Sequence, residues 1–334
     1  MLAAFVARMV SPEITLAAWG SLVYPISLVV EGPIIMLLTA STALAKDLPS
    51  YKKLFKFMLI MSLVLSAIHI LIAFTPLFFF VANDLMNVPK ALLGPGKTGL
   101  QIMTPWTLMI AWRRLNQGVM IKHGSSNMVA IGTAIRLITL VFVLSYGRWF
   151  SDLSGIIVGS SAVALAVTAE AIYAQLAVRR ILRGILSKEN VSEQVTRKSF
   201  IRFYLPLAIT PLASLLIHPV GSAGMSRMPE ALPSLAAWPV VYGLVFITRS
   251  LGFAFNEVVV ALLPHPNGKL ELLRFTRILA ISTSAFLGVL ALTPIGGYWF
   301  LYVAGLSEEL AYISSITLVF AILMPGYQAY QAWY

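Results

Sequence analysis

Cysteine is absent from this sequence of 334 residues, and charge is scarce, at 11% against 59% hydrophobic residues. The first absence excludes disulfides and leaves the redox compartment unread. The second excludes an ordinary soluble surface, since soluble domains carry about 25% charged residues. Histidine is nearly absent too, with four residues, none in an HExxH pair or beside clustered carboxylates. No catalytic constellation, metal site or cofactor motif is therefore expected, and a membrane enzyme is the weakest of the functional classes. Gly96-Lys97-Thr98 has the tail of a phosphate loop, but Ala91 stands where its leading glycine belongs and no strand precedes it. His69 is alone on an apolar helix and reads as packing, and the dispersed methionines read the same way. No basic segment with a short apolar core and a small-residue cleavage site opens the chain, so no signal peptide is expected.

What the chain has is apolar length. Its mean hydropathy is +0.86, and it offers eight or nine runs of the roughly 20 residues a spanning helix needs. Spans are expected at 14–45, 54–75, 98–121, 124–147, 154–178, 200–219, 234–263 and 272–294, with a last run from 311. Residues 1–11 are too short to span, and NDLMNVPKALLGPGK at 83–97 carries the prolines and glycines of a loop. Trp19, Trp149, Phe150, Tyr298 and Trp299 at run ends fit interfacial anchors.

The net charge of +11 invites a nucleic-acid reading, which the distribution of the basic residues opposes. Loops 46–56, 122–123, 179–202 and 265–277 hold fifteen lysines and arginines, against four in 84–97, 148–152, 221–230 and 295–310. The two sets alternate, which puts the basic loops in the cytoplasm, facing an anionic leaflet. The expected partners are membrane lipids and a small-molecule substrate, with no nucleic acid. The expected location is the cell (inner or plasma) membrane, crossed several times. The basic segment 179–199, with Ile181, Leu182, Ile185 and Leu186 at helical spacing, reads as a surface-lying linker.

The chain also repeats itself. LAAW at 16–19 recurs at 235–238, an offset of 219, and from Val23 to Pro76 an offset of 218 runs without a gap. It pairs Val23-Tyr24 with Val241-Tyr242, Lys56 with Arg274, Ser66-Ala67 with Ser284-Ala285, and Thr75-Pro76 with Thr293-Pro294. The two LAAW helices lie an even number of spans apart, so the halves are expected to be parallel repeats. The fold class is thus all-α membrane, with two helical bundles: 1–178 as the first lobe, 179–199 as linker and 200–334 as the second lobe. Because the first half has only a stub where the second has the span 200–219, and Tyr334 falls opposite the middle of a helix, a longer protein of about twelve spans is expected.

Near the centres of their spans lie Glu31, Arg136, Glu170 and Arg249, with Arg113 and Arg114 slightly off centre and Asn256 and Glu257 two turns beyond Arg249. Charges at such depth face a bundle interior or a wet cavity. Two readings stand side by side. In one, cations hold an anionic substrate while acids bind a coupling proton or sodium ion. In the other, all are ion pairs that fix helix register, as in a membrane scaffold that transports nothing. Pro25, Gly32-Pro33, Pro206 and Pro211 would loosen helices inside the membrane.

The run of LAAWG, EGP, TALAKDLPSYKK and HILIAFTPLF, with WRRLNQGVMIKHG further on, resembles the multidrug/oligosaccharidyl-lipid/polysaccharide (MOP) exporter superfamily. Its members include the MATE drug exporters and lipid-linked sugar flippases, and the pattern is most similar to the progressive ankylosis branch. The resemblance implies two helical lobes around a central cavity and alternating access. It also implies export by an ion gradient or the membrane potential and, for that branch, a small anionic solute. A flippase for a lipid-linked saccharide is the alternative within transport.

Overall fold

Proline and glycine decide where the first long apolar run changes pitch. A computed structural model describes residues 1–184, 197–263 and 268–333, and every element among them is helical. After the short α1 (Leu2–Val6), the run opens as α2 (Pro12–Ala18), widens into a π-turn at Trp19–Val23 and continues as α3 (Tyr24–Glu31). Gly32-Pro33 then tightens it into a 3₁₀ turn, Gly32–Ile34, before α4 (Leu37–Leu44). Pro33 has no N–H to give the ladder, and the change of pitch falls beside Glu31.

The chain goes on through α5 (Leu48–Phe74), α6 (Leu77–Phe79), a π-turn at Phe80–Leu85 and a 3₁₀ turn at Lys90–Leu92. Then come α7 (Leu93–Ile102), α8 (Trp106–Lys122), α9 (Ser126–Phe150) and α10 (Gly155–Gly184). The span expected at 98–121 is broken at Met103–Pro105, because Pro105 starts a new helix instead of continuing the old one. The loop expected at 83–97 is partly helical. Pro95 sits in the first turn of α7, where a missing N–H costs nothing. Gly96 lets the backbone approach Leu22, and a Cβ at Gly99 would lie 2.6 Å from Val23.

The remaining elements are α11 (Arg197–Leu215), α12 (Ile217–Met225), α13 (Ala231–Leu262), α14 (Gly268–Leu292), α15 (Pro294–Tyr298), a π-turn at Trp299–Val303, α16 (Glu308–Phe320) and α17 (Met324–Trp333). Ile185 and Leu186 of the expected surface segment lie outside the described residues.

Two compact units emerge: Ala18–Ala231, and Met1–Ala17 together with Leu232–Tyr334. The lobes expected at 1–178 and 200–334 divide the chain elsewhere. The segment that precedes each LAAW helix sits with the other repeat: the stub with the second, and α11 and α12 with the first. Gly32 provides the seat for α11, since a Cβ there would lie 2.8 Å from Leu212 Cδ1. Phe57, Phe200 and Tyr204 pack edge-to-face and stacked beside it, with centroids 4.3 to 5.3 Å apart.

In the larger unit α8 and α10 form the core, while α9 turns Ile138, Phe142, Trp149 and Phe150 outward. A Cβ on Gly118 would overlap Ser41 Oγ and the Leu38 carbonyl, so α4 and α8 touch backbone to backbone. In the smaller unit the backbone of α17 meets Gly252 of α13, while Gly326 N of α17 donates to Ser284 Oγ of α14.

The repeat is visible in backbone detail. Thr75 and Thr293 stand at the same junction between two helices, accepting from Leu77 N at 3.2 Å and Ile295 N at 3.4 Å, and each hydroxyl donates to the preceding helix at 2.6 Å. Both threonines lead into a π-turn at the same repeat position. Both π-turns close with matching long bonds, Val88 N to Ala82 O at 3.1 Å and Leu306 N to Phe300 O at 3.0 Å. The residue that needs a left-handed backbone is Asn87 (φ 52°) in one and Gly305 (φ 76°) in the other.

Candidate functional site

Five of the predicted charged residues converge in the larger unit. Glu170 on α10 is fully buried, and it accepts from Arg113 Nη1 on α8 at 2.6 Å. Arg136 Nε on α9 lies 3.5 Å from the same oxygen. The other carboxylate oxygen accepts from Gln117 Nε2 at 3.0 Å. One acid therefore ties together three helices, and both of its oxygens are engaged. Pairing this complete offsets much of the cost of burying a carboxylate.

Glu31 is held differently. It is 4% exposed, sits at the end of α3 against the change of pitch, and accepts from the indole N–H of Trp106 at the start of α8. No guanidinium among the described residues comes within ion-pair distance of it. Arg114 makes no hydrogen bond or ion pair among the described residues, and its buried Nε is without a partner. The cluster thus sets three guanidinium groups against two carboxylates, with the excess cation on Arg114. The hydroxyls of Ser27, one turn before Glu31, and of Thr107, next to Trp106, are buried and unpartnered too.

Next to the cluster lies a neutral polar layer. Asn116 accepts from Tyr51 OH at 3.0 Å and donates to Gln175 Oε1 at 3.0 Å, and Trp112 donates to that same oxygen at 2.6 Å. Gln175 was not singled out in the sequence, although a glutamine five residues beyond Glu170 in an apolar span was a signal that could have found it. Nothing in the sequence marked Trp106, Tyr51 or Trp112, since aromatic residues in membrane helices are usually packing.

Arg249, on α13 of the smaller unit, occupies the repeat position of Glu31. It donates to Gln328 Oε1 on α17 at 2.7 Å and lies 5.6 Å from the centre of the Phe253 ring. Its partners are neutral, so the expected balance of two acids with two bases at one depth is replaced by an Arg113–Glu170–Arg136 triad and two separately held ions. Asn256 and Glu257 are on α13, and their side chains lie outside the described residues. His69 Nε2 donates to the Leu100 carbonyl at 2.9 Å, which matches a packing role. Among the described residues no group of three or more His, Cys, Asp or Glu is arranged to hold a metal.

No protein-family model and no curated protein matches this sequence. Among solved structures the chain is similar to one described as the inward-facing conformation of a multidrug resistance MATE family transporter of the MOP superfamily. The TM-score is 0.74 at 15% identity, over 99% of this chain and 79% of that one. An identity this low speaks to fold alone, and the fold is of the MATE type. Among the described residues seven helices are long and apolar enough to cross a membrane, so the chain is a multi-pass membrane protein of that architecture. The likeness does not extend to the progressive ankylosis branch.

Proposed function

We propose that the protein is a secondary exporter of an anionic small solute, working by alternating access between two helical bundles. The observation that carries this reading is Arg114, a partly buried arginine whose enclosed Nε has no hydrogen-bond partner among the described residues, in a cluster where cations outnumber acids. A buried cation without an ion-pair partner is expensive, and an oxyanion would satisfy it with charge-assisted bonds. Glu31, which has a hydrogen-bond donor but no ion pair, is the residue we assign to a coupling proton or sodium ion. Glu170 is assigned to architecture, because its oxygens are already engaged. Our choice of citrate, pyrophosphate or a nucleotide as solute rests only on the resemblance of LAAWG, EGP and WRRLNQGVMIKHG to the pattern of the progressive ankylosis branch. The membrane is proposed to be the cell membrane.

Vesicles containing the full chain test this with labelled citrate, pyrophosphate and nucleotides. Saturable flux of one of them, reduced at least roughly tenfold by Arg114→Ala, is expected. Equal flux in wild type, Arg114→Ala and Glu31→Ala would overturn the assignment.

A further inference from the structure

The two halves share one more device, hidden by an insertion between the matching segments. Arg8-Met9 precedes the first LAAW by the same distance, within the 219 offset, as Arg227-Met228 precedes the second. Each arginine reaches back to the carbonyl four residues earlier: Arg8 Nη1 to Ala4 O at 2.6 Å, Arg227 Nη1 to Ala223 O at 2.5 Å. Each then reaches forward to the end of a π-turn that belongs to the other repeat. Arg8 Nη2 donates to Val303 O at 3.2 Å, and Arg227 Nη2 donates to Leu85 O at 3.3 Å. Val303 and Leu85 are themselves separated by the repeat offset of 218. The same bond is therefore made twice, and each time it links one repeat to the other.

Chemistry explains why arginine is used. The last carbonyls of a helix have no partner within it and carry the negative end of its dipole. A guanidinium offers a planar fork of donors that can take several of them. Arg8 does so fully, adding Tyr302 O at 2.7 Å and Ala304 O at 3.4 Å. Arg227 holds a single carbonyl of its π-turn. Beside the clasp a cavity of about 290 Å³ is lined from both sides, by Ser11 and Glu13 on one and Gly305 and Ser307 on the other. The contact is a polar clasp on a yielding joint and not a welded seam.

We propose that Arg8 and Arg227 are a reciprocal pair of conformational clasps, holding each repeat's leading segment to the π-turn of the other, and that export requires both to open. Arg227 and both gripped π-turn ends, Leu85 and Val303, lie on the loops read as external from their low lysine and arginine content, so closed clasps belong to the state shut to the outside. The functional half of this statement rests on the transport reading. The clasps themselves can be tested without it.

The absence of cysteine gives a clean background for spin labels. Val10→Cys with Tyr302→Cys reports the first clasp, and Leu85→Cys with Met228→Cys the second, all four side chains being exposed. Pulsed-dipolar distances are then measured on the full chain in lipid vesicles. One short population is expected at each pair when both arginines are present. Arg8→Gln should add a longer population at the first pair only, changing the ratio of the two by roughly tenfold. Arg227→Gln should do so more weakly at the second pair, because it releases one carbonyl and not three. Lysine at either position should restore part of the short population. Unchanged distances in the double Gln variant would overturn the proposal. So would loosening of both pairs by either single variant, since that reports general destabilisation. Failure of wild-type flux with the expected distances would count against the transport reading and leave the clasps standing.

Discussion

The two LAAW helices begin alike and end up different. The first changes pitch twice between Pro12 and Leu44, through a π-turn and a 3₁₀ turn, whereas α13 runs unbroken for 32 residues despite Pro239. A proline alone therefore does not break these helices. What distinguishes the first is Gly32 ahead of Pro33, with α11 pressed onto the glycine and the Tyr204 hydroxyl donating to the Pro33 carbonyl. A carbonyl freed in the membrane must find a donor, and here one is supplied. The break comes where Glu31 has to meet Trp106. In α13 the equivalent position holds Arg249, whose long side chain reaches Gln328 from a regular helix. A short acid needs the backbone moved toward its partner, and a long base does not.

The sharpest way to break this comparison is to unbalance the larger unit. Glu170→Ala leaves Arg113 and Arg136 without their shared carboxylate and is expected to cost about 3–5 kcal/mol. It should appear as a large fall in thermal midpoint in detergent, partly recovered by adding Arg113→Met. Next comes packing: Gly118→Ala forces α4 and α8 apart and should cost about 1–3 kcal/mol. Gly252→Ala, whose added methyl meets Gln328 and Ala329 less tightly, should cost less in the same assay. Tyr204→Phe keeps the aromatic stack, strips the Pro33 carbonyl of its donor, and should cost about 1 kcal/mol. It should also lower flux, whereas Pro239→Ala should leave flux unchanged. Smallest of all, Arg249→Met removes a half-buried cation from neutral partners and should shift stability by under about 1 kcal/mol. A loss as large as that of Glu170→Ala would mean that the two midplane ions are held alike.

Much of this was legible beforehand. The spans, the repeat and the depth of Glu31, Arg113, Arg114, Arg136, Glu170 and Arg249 follow from hydropathy and offset. Which charges pair was not legible, because Arg113 and Arg114 are neighbours in sequence yet point to different fates: one is neutralised by Glu170 and one is left facing Glu31. The exchange of leading segments was also invisible. A hydropathy profile records that residues 200–219 are apolar, and not which glycine they will rest against. Arg8 and Arg227 looked like ordinary loop charges until the carbonyls they cap were in view.

Read alone, the chain dictates its solvent and its periodicity, since apolar length and basic-loop alternation act locally and survive without any knowledge of neighbours. Partnership is another matter. Whether an ion is clasped, shared or left over depends on contacts between residues separated by 57 positions, as in Arg113 and Glu170, or 295, as in Arg8 and Val303. Only packing brings such groups within the few ångströms over which hydrogen bonds and buried charges act.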